Sequence, residues 1–82
     1  MQKHNVRSAG DALAYITDCT LATVSLMAMK KRRPAGEYAR QIAIAQTAIN
    51  WMQEMGVDIE TTRAGDAVRE GGVAEWAEKY ER

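Results

Sequence analysis

The chain has 82 residues, with eleven basic and eleven acidic side chains, one histidine and one cysteine, and 46% of its residues are hydrophobic. A balanced charge argues against a general nucleic-acid coat, a single cysteine rules out an internal disulfide and a thiolate zinc cluster, and no window approaches the ~18 uncharged apolar residues of a membrane span. A chain this short buries only about 60 to 65 percent of its unfolded surface, so it reads as one helical domain over residues 1–82, marginal alone and in need of a partner.

Residues 1–7 are polar and patternless. Met1 to Asn5 lack the apolar core of a signal peptide, which gives the expectation of a cytoplasmic protein. His4, the only histidine, has no second ligand near it in sequence and reads as solvated. Ser8 then supplies a helix start, its hydroxyl placed to accept an orphan backbone N–H while Asp11 sets negative charge in the first turn. A first helix is expected over about 9–32. Its inward seam is read as Leu13, Ile16, Thr20, Val24 and Met27, at spacings of three and four, with the Thr20 hydroxyl bonding back to the carbonyl four residues earlier. Asp11 and Asp18 share the other side as a solvated acidic edge, about 10 Å apart along the axis and too far for one metal ion. The stretch from Cys19 to Met29 holds no charge at all, which implies burial on more than one side.

Four consecutive cations, Lys30, Lys31, Arg32 and Arg33, lead into the only proline, Pro34. They are expected to end the first helix, complementing its negative end, while Pro34 pushes Arg33 out of the α region and opens the next helix. So short a connection predicts an antiparallel helical hairpin. The second helix is expected over about 35–55, with Tyr38, Ile42, Ala45, Ile49 and Met52 as its seam. A second apolar stripe, Ile44, Ala48, Trp51 and Met55, lies beside it, and Arg40, Ala43, Thr47, Asn50 and Glu54 face the other way. Two broad uncharged surfaces with one pairing between them leave a surplus, and the surplus points to a homo-oligomer.

Gly56 is placed to close this helix as a left-handed cap. Val57 to Thr61 alternates but is too short to claim a sheet. Asp66 is expected to cap a turn of helix ending near Arg69, Gly71 and Gly72 to break it, and a short helix over about 73–81 to present Val73, Trp76, Ala77 and Tyr80 on one face. Trp76 reads as an anchor, on the hairpin or on a neighbouring chain.

Catalysis needs a nucleophile or an acid/base pair within hydrogen-bond reach, and a tail histidine, a lone cysteine and scattered carboxylates supply none. The expectation is a non-enzyme without cofactor or metal. The basic corner, Lys30 to Arg33 with Arg40, is the feature that carries functional potential, because arginine forks and a following helix start both suit phosphate. Its plainer reading is dipole complementation and solubility.

The order of these parts, a compact helical chain with Tyr15 in an early helix, Lys30 farther along and a second long uncharged helix, resembles a class of small phage proteins that act as anti-CBASS sponges. Those proteins assemble into oligomers and sequester cyclic oligonucleotide immune signals without hydrolysing them. The resemblance covers about residues 8–55 and implies that Tyr15 stacks on a base and Lys30 contacts phosphate. On one straight helix these two residues would lie about 22 Å apart, so a single cyclic di- or trinucleotide reaches both only between protomers or across a break in the helix. Two other readings stand beside this one. The first is a phage interaction protein that inhibits a host protein by docking a helical face, with Trp51 or Trp76 as hot spots. The second is nucleic-acid binding through the basic corner, which zero net charge disfavours.

Overall fold

The structure is a computed structural model and describes residues 8–81. Within them the chain is all-helical: α1 (Ala9–Ala28), α2 (Ala35–Glu54), α3 (Arg63–Glu70) and α4 (Val73–Glu78). His4 and the polar segment around it lie outside the described residues. The two long helices pack as an antiparallel hairpin, α4 lies against both of them, and α3 lies against α1 and α4. Val57 to Thr61 forms no strand; Val57 and Ile59 instead turn half-buried side chains onto the core.

α1 begins where its cap dictates, with the Asp11 N–H donating to Ser8 Oγ at 3.1 Å. It ends four residues earlier than the sequence suggests, at Ala28, and has no basic residue in its last turn. The reason is Arg33. Its guanidinium folds back and donates to the carbonyl of Ala28, a helix-end acceptor, at 3.2 Å and to that of Lys30 in the linker at 2.8 Å. The cation run is therefore a linker and not a last helical turn. Pro34 takes the N-cap position with extended ψ, one residue before its expected place, and α2 starts at Ala35.

The α1 seam also needs correction. Val24 and Met27 are buried as expected, but Ile16 is 53% exposed while Thr17, Leu21 and Ala28 are buried, a rotation of the inward face by about 60° on the 100° per residue projection. The cause is the presence of two neighbours. α2 covers one flank of α1 and the α3–α4 pair covers the next, so the buried stripe lies between them. Thr20 does bond back to the Ile16 carbonyl at 2.9 Å, and the buried Thr17 does the same to Leu13 at 2.7 Å, which is how a hydroxyl is accommodated in this core. The expected α2 seam matches the structure. Ala45, Ile49 and Met52 are buried, and Tyr38 and Ile42 are half-buried against the core.

Gly56, at φ 74°, closes α2 in a Schellman arrangement, with the Val57 N–H donating to Met52 and the Gly56 N–H to Gln53. α3 is a full eight-residue helix capped by Thr62, whose hydroxyl accepts the Gly65 N–H, and Asp66 sits inside its first turn paired with Arg69. A Cβ on Gly65 would collide with the carbonyl oxygens of Ile59 and Glu60, so only glycine lets the preceding loop cross α3 this closely. Gly71 and Gly72 turn the chain into α4, whose first N–H, that of Val73, donates to Gln46 Oε1 of α2 at 2.8 Å. That bond stands in for a side-chain cap, which the N-cap Gly72 cannot supply.

Trp76 is 1% exposed and completes a core with Leu21, Val24, Ile49, Met52 and Val73. Its ring meets Tyr80 edge-on, with centroids 5.1 Å apart. The anchor is thus the hairpin itself, and Trp76 is removed as a docking hot spot. Asp18, on the expected acidic edge, keeps part of its side chain in solvent but also accepts from Arg63 at 2.9 Å and so ties α1 to the start of α3.

Candidate functional site

The basic corner divides into two parts. Lys30, Lys31 and Arg32 are exposed on the linker between α1 and α2. Arg33 is turned inward and committed to the fold: besides the two carbonyls it meets Glu81 at 3.4 Å and lies over the Tyr38 ring at 4.8 Å. Tyr38 Oη in turn donates to Glu81 Oε2 at 2.8 Å. Partial burial, and then this hydrogen bond to a carboxylate, push the Tyr38 phenol up to about 12. The cluster of Arg33, Tyr38 and Glu81 clasps the C-terminal end of the chain to the corner. Sequence reading missed it, because nothing local signals a contact between residues 43 positions apart.

Arg40 does not join the corner. It stands on the second turn of α2 with its side chain 71% exposed, and its nearest carboxylate, Glu37, is 3.9 Å away. Tyr15 is 42% exposed on α1, next in sequence to the exposed Ile16. Since α1 ends at Ala28, about 20 Å of helix separates Tyr15 from the linker that carries Lys30. Within one chain the two do not meet.

What the hairpin does present is a largely apolar groove between α1 and α2, of about 450 Å³, with Leu13 and Ile16 on one wall and Arg40, Ala43, Ile44, Thr47, Ala48 and Trp51 on the other. Ile44 and Trp51 are 44% and 55% exposed, and Met55 on the same stripe is 52% exposed. This is the stripe that the hydrophobic pattern of α2 shows beside its seam. Ile16 joins it because of the rotation of α1. A contiguous apolar patch on so small a protein marks an interaction surface more often than a random exposure.

Among the described residues no three His, Cys, Asp or Glu side chains come together as a metal site, and no helix is long and apolar enough to cross a membrane. No protein family, curated protein or solved structure matches the chain. The reading of function therefore rests on the groove, the ring of Tyr15 and the exposed cations.

Proposed function

We propose that the protein sequesters a cyclic di- or trinucleotide by binding it without hydrolysis, as an anti-defence sponge of the kind its sequence resembles. The site lies between copies of the chain, with Tyr15 of one copy stacking on a base and Lys30, Lys31 and Arg32 at the α1–α2 linker of another holding phosphate. One observation carries this reading. The ring, in the second turn of α1, and the exposed cations of the linker beyond its C-terminal end are separated by about 20 Å of helix, on a hairpin with an uncovered apolar groove, so a neighbouring copy that hides the groove also supplies the other half of the site to each. Arg33 takes no part in it, being held by Glu81 and Tyr38.

Thermal unfolding with a panel of cyclic di- and trinucleotides tests the proposal. A ligand at a hundredfold excess over its Kd adds about 2.7 kcal/mol, which is a rise of roughly 10 °C or more for a domain of this size. Tyr15→Ala and Lys30→Ala should each remove most of that rise, and chromatography should return the ligand intact. No response to any cyclic nucleotide at near-millimolar concentration overturns the reading. The groove favours one other function, docking on a protein partner with Trp51 as the anchor. In that case Trp51→Ala abolishes capture of the partner and no nucleotide shifts the melting curve.

A further inference from the structure

We infer that the exposed face of α2 is a two-fold, antiparallel contact between two copies of this chain, in register about Thr47. The residues that carry it are Arg40, Ile44, Thr47, Trp51 and Glu54, spaced by four, three, four and three. That is the spacing of a helix–helix seam, and all five are exposed on a helix whose other face already holds the core.

The charges at the two ends of the stripe set its orientation. Arg40 and Glu54 each lie seven residues from Thr47, one before it and one after, so a two-fold axis beside Thr47 brings Arg40 of each copy opposite Glu54 of the other. A parallel pairing would set arginine against arginine and glutamate against glutamate, which like-charge repulsion disfavours. Both charges are available for this. Arg40 is held only loosely by Glu37 at 3.9 Å, and among the described residues no ion pair involves Glu54.

The same register sorts side-chain size. Trp51 lies four residues after Thr47 and Ala43 four before it, so the largest side chain of one copy falls opposite one of the smallest of the other. Ala43 lines the groove of about 450 Å³, whose far wall is Leu13 and Ile16, so the indole enters an apolar slot that already exists. The contact is isologous and self-complementary, and the occupant of the groove is a second copy of the chain. The inference stands on the α2 stripe and the groove beside it and does not depend on any nucleotide.

Sedimentation velocity from low micromolar to near-millimolar concentration should show reversible self-association. Arg40→Glu and Glu54→Arg should each weaken it by roughly five- to tenfold, and the double reversal should restore it to within about twofold of the parent. Trp51→Ala should weaken it by about tenfold or more. In a Cys19→Ser background, Thr47→Cys should link two copies through a disulfide under mild oxidation, while Ala74→Cys on α4 should not. Circular dichroism on every variant checks that the helices persist, which surface positions favour. A larger assembly that keeps the charge-reversal rescue and the Thr47 cross-link supports the interface. A monomer at near-millimolar concentration overturns it, as does an oligomer in which either the rescue or the cross-link fails. An assembly of this register that binds no cyclic nucleotide leaves the interface standing and removes only the ligand reading, and nucleotide binding by a monomer does the reverse.

Discussion

The two tryptophans of the chain mark two differently treated faces of one hairpin. Trp76 is 1% exposed, on the side that α3 and α4 cover, and Trp51 is 55% exposed beside the groove on the side that nothing in the described chain covers. Both faces are built from the same kind of residue, small and medium apolar side chains on α1 and α2. They differ in what the chain has left to lay over them. Two short helices are enough to close one face, held there by Trp76, by the Asp18–Arg63 ion pair and by the bond from the Val73 N–H to Gln46. The lesson is that in a domain of this size apolar area is not proof of burial. Connectivity decides which stripe becomes core and which is left for an interface.

Four substitutions would break or sharpen that contrast. The largest effect is expected for Trp76→Ala, which empties the centre of the covered face and should cost about 3–5 kcal/mol, enough to leave a marginal domain mostly unfolded by urea titration or circular dichroism. Next is Gly65→Ala. The added Cβ meets backbone oxygens that have no rotamer to yield, and a loss of about 1–3 kcal/mol is expected in the denaturant midpoint.

Tyr38→Phe comes third. It removes the hydrogen bond to Glu81, and the net loss should be about 0.5–1.5 kcal/mol. The phenol also adds a pH dependence of known sign. Its folded value is raised from 10.0 to about 12, so the folded state holds a proton that the unfolded state has released. The stability it contributes is complete below about pH 10 and is lost as pH rises through about 12. Denaturation curves across that window should fall for the parent and lose this component in the Phe variant.

The smallest effect is expected for Trp51→Ala. The stability of the dilute monomer should change by no more than about 0.5 kcal/mol, while the exposed, quencher-accessible part of the tryptophan fluorescence disappears. A large loss of monomer stability here would mean that the groove is closed from within the chain, and the contrast between the two faces would not hold.

How far each element is legible from sequence follows from whether its charged and polar side chains gather on one side. On α2 a polar strip that includes Arg40, Asn50 and Glu54 fixes the outward direction, so the seam Ala45, Ile49 and Met52 reads correctly and the adjacent Ile44–Trp51 stripe is visible beside it. On α1 the run from Cys19 to Met29 has no charge to fix a direction. The periodicity alone then favours Ile16 and Thr20, although the packing chooses Thr17 and Leu21. The extent of α3 was missed because Thr62 and not Asp66 is its cap, and a threonine in a polar loop gives little signal. Within the basic corner, sequence reading treats four cations alike. Three stay exposed, and Arg33 is withdrawn by partners brought in from the far end of the chain.

Local chemistry therefore settled that these segments are helical, that Ser8 opens α1 and Gly56 closes α2, and that the two long helices fold back on each other. Those outcomes depend on neighbours within a few residues, and caps, glycines and a proline act at that range. Only the tertiary structure decided how α1 is rotated, which tryptophan is core and which cation is spent on holding the C-terminal end. These depend on α3 and α4 arriving from the far end of the chain to cover one face of the hairpin and not the other, and no pattern within a single helix records that.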